Sequence, residues 1–193
     1  LVGSYLKYTD GEEDPLALTA AANLDTGLQQ CLTFECTGGG YTWFGDPDPA
    51  HPILTSFALV MFADIAELRD VDEAMLERAR GMLTGAQGDG GEWTTNQGTK
   101  EGALPWDELR SSCIALWGLA VSGGDSTVNA QGAAVAYIKS ALALDADTYT
   151  LGMCANALVT AAPGDTDTDA VFAELLDRVE EDGDLAWWTS SYS

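Results

Sequence analysis

Cations are scarce in this chain. Eight Lys and Arg stand against 31 Asp and Glu, a formal net charge of −23, and Lys occurs only at Lys7, Lys100 and Lys139. Binding nucleic acid requires basic side chains that displace counterions from phosphates, so nucleic acid is excluded as a partner. Histidine is scarcer still. His51 is the only one, no Cys-x-x-C occurs among the four cysteines, and no zinc-ligand pattern follows, so neither a metal nor a cofactor is expected. Long apolar runs are missing too: nothing approaches the roughly 18 uninterrupted apolar residues that a bilayer span needs. The start at Leu1 carries no basic segment followed by an apolar one; it reads as lacking a secretion signal of its own and as a piece of something larger. The acid excess has two readings. It is either a well-solvated surface that keeps the protein soluble, or an adaptation to high salt, where screening weakens like-charge repulsion.

What is present is a sparse repeat. Three apolar segments rich in small residues each open on Ser or Thr: Leu54-Thr55-Ser56-Phe57-Ala58-Leu59 to Ala63, Ser112-Cys113-Ile114-Ala115-Leu116 to Ala120, and Thr150-Leu151-Gly152-Met153-Cys154 to Leu158. Aligned on the hydroxyl residue they lie 57 and then 38 positions apart. A helix pair with its turns takes about 40 residues, so this is the signature of stacked helical hairpins. The excess length in the first interval falls in one glycine-rich loop, Gly85 to Pro105, which carries Trp93.

The spacing predicts helices over Pro15 to Cys31, Ile53 to Asp70, Glu73 to Leu83, Leu109 to Val121, Ser126 to Leu144, Asp147 to Ala161 and Asp169 to Glu181, with Leu185 to Trp188 as a tail. Nearly all-apolar helices alternate with amphipathic ones, such as Glu73 to Leu83 with Met75, Leu76, Ala79 and Met82 on one side and Arg78 and Arg80 elsewhere. Inner helices touched on both sides and outer helices wet on one give an all-α fold, an α/α toroid of inner and outer hairpins, rather than an open solenoid. The 193 residues suffice for one such domain. Cys113 and Cys154 sit in the apolar segments; they pair only if neighbouring helices bring their Cα atoms within about 7 Å, and otherwise act as small hydrophobes. Cys31 and Cys36 straddle a helix end, where a short loop disulfide is open to them. Asp165-Thr166-Asp167-Thr168-Asp169 begins like a calcium loop but lacks the glycine and the distal Glu, so it reads as a helix cap.

The run Asn23-Leu24-Asp25-Thr26-Gly27-Leu28-Gln29-Gln30, then Gly39-Gly40-Tyr41-Thr42-Trp43-Phe44-Gly45 and Leu54-Thr55-Ser56-Phe57-Ala58-Leu59, resembles the thioester-containing domain of the alpha-macroglobulin and complement family. Ala86-Gln87 through Gly91 to Trp93, Asp107-Glu108-Leu109 and Asp147-Thr148-Tyr149-Thr150-Leu151 fit in the same order, and Trp188 looks like the aromatic that closes the last hairpin. The Gly-Gly-Tyr-x-Trp-Phe loop is similar to the bacterial branch. The resemblance implies an α/α toroid, of the kind shared with terpenoid cyclases and prenyltransferases, inside a large secreted or periplasmic protein. That protein would be an endopeptidase inhibitor whose partners are its own other domains and its target proteases, and which changes conformation when a protease cleaves it. An exposed Cys-Gln thioester then acylates the attacker.

The family's Cys-Gly-Glu-Gln motif is absent, and Leu1 falls just downstream of where it would stand. The expectation is a fragment that starts after the motif, the alternative being a relative that lost it; no residue present is assigned catalysis, and the module is read as no enzyme. The resemblance places Asn96 where the family carries a residue steering acyl transfer, with Asn leaving amines favoured; a turn-forming Asn is the plainer reading. Tyr41, Trp43, Phe44, His51, Trp93 and Trp106 are the candidates for a pocket or rim at one end of the toroid, with core filling as the alternative for the aromatics and a surface turn for His51. The competing functions are a toroid enzyme acting on lipid or polysaccharide, against which the missing Asp cluster and single His argue, and a helical-repeat interaction scaffold.

Overall fold

Among the described residues, five helices begin on a side chain that accepts a hydrogen bond from the following turn. Asp72, Asp107, Asp147 and Asp165 do so with a carboxylate, and His51 does so with Nδ1. Each such cap is worth about 1 kcal/mol, so four of the many acids serve helix starts. The computed structural model describes residues 15–46, 49–94 and 107–190. Among them the helices are α1 (Pro15–Leu32), α2 (Pro52–Ala66), α3 (Glu73–Gly85), α4 (Glu108–Ser122), α5 (Val128–Ala141), α6 (Thr148–Ala161) and α7 (Thr166–Asp177).

The inner helices α2, α4 and α6 lie side by side, α2 on α4 and α4 on α6, in the most extensive contacts of the structure. Outer helices α3, α5 and α7 pack back onto α2, α4 and α6 in turn. The fold is therefore all-α, an inner-and-outer arrangement of toroid type. Small residues set the inner spacing. A Cβ at Gly118 would come within 2.9 Å of the Ser56 carbonyl, so α4 meets α2 backbone to backbone. Between α4 and α6 the Cα atoms of Cys113 and Cys154 are 4.9 Å apart and the two form a disulfide. Closing a loop of 41 positions stabilises by about 4 kcal/mol in the chain-entropy view.

Several expectations need correction. The helix expected from Ser126 begins as a 3-10 turn (Asp125–Thr127) before α5 and stops at Ala141. The last helix starts at Thr166, capped by Asp165, and ends at Asp177. Beyond it the chain forms a hairpin, not a tail: β1 (Glu180–Asp182) pairs antiparallel with β2 (Leu185–Trp187). Arg80, expected on the wet side of α3, is 2% exposed. Its guanidinium binds Glu73 at 2.5 Å and the Ser122 carbonyl at the end of α4. Burying a charge is tolerable only with such partners. Cys31 and Cys36 are not joined to each other or to the other pair. No helix among the described residues is long and apolar enough to cross a membrane.

Candidate functional site

The glycine–aromatic connections into α2 and α4 leave from the same end of the stack. Gly40 sits so close to Met82, in the last turn of α3, and Thr55, in the first turn of α2, that a Cβ there would come within 2.9 and 3.0 Å of them. The second connection departs where α3 ends, and its Trp93 indole N–H donates to the Leu83 carbonyl at 2.8 Å. Trp43 and Trp93 therefore belong to neighbouring loops at one end.

Both connections use the same local rules. In the first, Gly39 at φ 99° lies against the backbone of Arg78 in α3, where a Cβ would stand 2.5 Å from the carbonyl oxygen. Two residues on, the Tyr41 N–H donates to Thr55 Oγ1 of α2 at 2.9 Å. In the second, Gly91 at φ 94° lies against Ala133 of α5, with a Cβ 2.4 Å from its carbonyl oxygen. Two residues on, the Trp93 N–H donates to Ser112 Oγ of α4 at 2.9 Å. Only glycine adopts that φ without strain and leaves room for the helix backbone. The repeated hydroxyls of the inner helices are thus the anchor points of the loops. The third, Thr150, has a different partner: it accepts from Arg110 Nε at 2.8 Å, and Arg110 Nη2 also pairs with Asp147 at 3.1 Å.

Around Tyr41 the first loop is pinned on all sides. Its carbonyl accepts from the His51 N–H at 2.8 Å, its ring packs on Phe62 with centroids 5.5 Å apart, and Glu35 beside it holds Arg78 through two bonds of 2.7 and 3.0 Å. Thr37 donates to Asp46 from its amide at 2.8 Å and also from its hydroxyl, tying the loop ends together and holding the Asp46 carboxyl below its usual range. The Tyr41 phenol is pushed up by burial first and by the Glu35 carboxylate second. Its hydroxyl is buried and meets no hydrogen-bond partner among the described residues. Beside it opens a groove of about 480 Å³, walled by Cys31 at the end of α1, Phe34 just past it, Tyr41, Thr42 and Trp43 from the loop, and Leu54, Phe57, Ala58, Met61 and Phe62 of α2. A second cavity of about 470 Å³ between α1 and α2 shares Cys31 and Met61 with it.

The expected rim residues separate. Tyr41 and Trp43 share the cavity wall, and Phe44 is 71% exposed on the same loop. Trp93 is fully buried, so it fills the core and belongs to no rim. His51 is no surface turn either: it is buried, and its Nδ1 accepts the Ile53 N–H at 3.1 Å as the cap of α2. Asn96 and Trp106 lie outside the described residues, as do Pro47 and Asp48 of the Asp46-Pro47-Asp48-Pro49 loop. The acidic run at 165–169 is a cap, with Lys139 paired to both Asp165 and Asp167. No group of three or more His, Cys, Asp or Glu able to hold a metal occurs among the described residues.

Sequence reasoning missed the roles of Thr55 and Ser112 as loop anchors, and of Arg78 and Arg80 as ties. A signal was available. An aromatic followed by Thr recurs at Tyr41-Thr42, Trp93-Thr94 and Trp188-Thr189, and Trp188 repeats the Trp93 anchor by donating its indole N–H to the Leu175 carbonyl of α7 at 2.8 Å. Chemically, the end of the stack keeps an apolar volume beside a neutral phenol; the imidazole nitrogen that would serve as a base is engaged in a cap.

Comparison with curated proteins gives no match. The whole chain, residues 1–193, matches the family described as the A-macroglobulin TED domain. With its inner-and-outer helical hairpins and a match over its whole length, this chain belongs to the A-macroglobulin TED domain family, the thioester-domain modules of alpha-macroglobulin and complement proteins.

Proposed function

We propose that residues 1–193 form one thioester-domain module of a large bacterial-type alpha-macroglobulin, an endopeptidase inhibitor that traps attacking proteases. The observation that carries this reading is the pair of glycine–aromatic connections anchored on inner-helix hydroxyls at one end of the stack, within a family match over the whole chain. In this reading the module is a scaffold without chemistry of its own. An acyl group would come from a Cys-Gly-Glu-Gln segment elsewhere in the full protein, and the aromatic end of the stack would help keep water from it. Asn96 would leave amines as the favoured acceptors. The partners are the other domains of the same protein and the proteases it captures. An extracellular or periplasmic location is supported by the buried Cys113–Cys154 disulfide, because such bonds persist in oxidising compartments.

The test uses the full-length gene product. Methylamine attacks a thioester carbonyl, forms an amide and releases one thiol, so intact mass rises by one amine and one new thiol titrates. Exposure to a protease then yields a covalent protease adduct in untreated protein and none after methylamine. No amine uptake and no adduct would sink the protease-trapping role.

A further inference from the structure

We infer that the outer edge of the β hairpin after α7 is a docking site for an extended segment of another protein that carries Lys or Arg at alternate positions. Among the described residues β1 and β2 have only each other as ladder partners. In an antiparallel pair half of each strand's backbone N–H and C=O groups point away from its neighbour, so β1 offers a second edge. An added strand takes up those groups, and its side chains at every second position supply the specificity.

The register fixes which side chains it meets. Glu180 stands opposite Trp187 and Asp182 opposite Leu185, whereas Glu181 stands opposite Ala186. Residues two apart share a face, so one face of the hairpin presents two carboxylates, each beside a large apolar side chain. Both apolar groups are left in water: Leu185 is 68% exposed and Trp187 41%. The carboxylates have no cation of their own. No Lys or Arg follows Arg178, and Arg178 is taken up by Glu174 and by the Ala146 and Leu144 carbonyls. Three acids on an edge strand also keep other strands away. That protection acts against neutral and acidic strands, a second copy of this chain with its net charge of −23 included, and it gives the exposed indole and leucine no purpose. A strand with cations two positions apart answers both features. Its charges face Glu180 and Asp182, and its long apolar stems lie against Trp187 and Leu185. The acid excess of the whole chain draws such a segment in. The site needs neither a thioester nor protease trapping.

Two peptides of equal composition and charge are the probes, Thr-Arg-Val-Arg-Thr and Thr-Arg-Arg-Val-Thr, each with a net-neutral dye. Only the first puts both guanidinium groups on one face of an extended strand. Fluorescence polarisation with the full chain at low salt should show the alternating peptide binding about fivefold tighter, the upper value of one cross-strand charge pair. At saturation it should slow amide hydrogen exchange over residues 178–187, where new ladder bonds form. Glu180→Lys with Asp182→Lys should abolish that preference and create one for Thr-Glu-Val-Glu-Thr over Thr-Glu-Glu-Val-Thr. Asp70→Lys with Asp89→Lys, the same change of charge at two other exposed positions, should leave the original preference intact. The two peptides on the unaltered chain decide even where a variant loses its hairpin. Equal affinities, a preference that outlasts the Glu180 and Asp182 exchange, or unchanged hydrogen exchange over 178–187 would overturn the assignment. A dimer of the chain that Leu185→Lys dissolves would give this face to a second copy and overturn it too.

Discussion

The connection into α2 and the connection into α4 rest on the same contacts: a glycine at positive φ against an outer helix, and an aromatic N–H on an inner-helix hydroxyl two residues later. Their outcomes differ. At the second, Trp93 is fully buried, its indole N–H is satisfied by Leu83, and the helix it leads into is stapled to its neighbour by Cys113–Cys154. At the first, Tyr41 leaves its hydroxyl unmet, a cavity opens at its side, Trp43 and Phe57 are 47% and 43% exposed, and Cys31 and Cys36 are outside the disulfide. Local rules therefore place a loop, but its sealing depends on what packs over it. In this molecule α4 has an inner helix on each side, whereas α2 has α4 on one side and the cavities beneath α1 on the other.

The largest expected effect falls on the sealed side. Replacing Cys113 and Cys154 together by Ser should lower stability by about 4 kcal/mol, the loop-closure value for this separation, as measured by urea unfolding. Thiol titration of the denatured, unreduced protein should find two reactive cysteines, Cys31 and Cys36; four would show the staple to be absent. Next, Trp93→Phe removes the indole bond to the Leu83 carbonyl, leaving it the Ala86 N–H alone, and opens a void, for a loss of about 2 kcal/mol. Trp43→Phe, at the open connection, should change stability by less than about 0.5 kcal/mol. Equal losses would erase the distinction between the two loops. The third effect has the opposite sign. Tyr41→Phe removes a buried polar atom that has no partner, and should raise stability by about 1 kcal/mol; a loss of that size would mean that the hydroxyl is satisfied after all.

Much of this was legible in the residues. The hydroxyl-led apolar segments located α2, α4 and α6, and the amphipathic stretch at 73–83 located α3, because burial on two sides or on one leaves a direct trace in composition. The side chains at the ends were harder to read. Arg80 counted as polar by type, yet it is buried with the Ser122 carbonyl and Glu73 as partners, and the Ser122 carbonyl is 42 positions away in sequence. His51 looked like a turn residue beside Pro52; the cap it makes needs only a two-residue reach, but an imidazole is an unusual choice where Ser, Asp or Asn is common. Trp93 and Tyr41 had the same glycine-bearing context, and nothing local distinguishes the sealed loop from the open one. The β hairpin after α7 was missed because three-residue strands carry too short an alternation to read.

The smallest effect separates the cap of α2, at the open connection, from the cap of α6 by pH. The cap of α2 is His51, whose Nδ1 accepts from Ile53 only while that nitrogen is unprotonated, and burial holds this imidazole below its usual 6.5. A lowered folded value means that the unfolded chain takes up the proton first. The contribution is therefore complete above about pH 6.5 and declines as pH falls below it. On the other side, Asp147 caps α6: burial pushes its carboxyl up, but the Thr150 hydroxyl and amide and the Arg110 guanidinium outweigh that and hold it below the usual 3.8. Its contribution is complete above about 3.8 and is lost only in more acid solution. Between pH 7 and pH 5 the α2 cap should weaken while the α6 cap stays whole, with a loss no larger than one cap, about 1 kcal/mol. His51→Asn keeps an accepting cap and removes the titration, so its urea midpoint should fall less over that range than the wild type's. Parallel pH profiles for the two proteins would mean that His51 does not titrate in the cap, and that the α2 cap is no more acid-sensitive than the α6 cap.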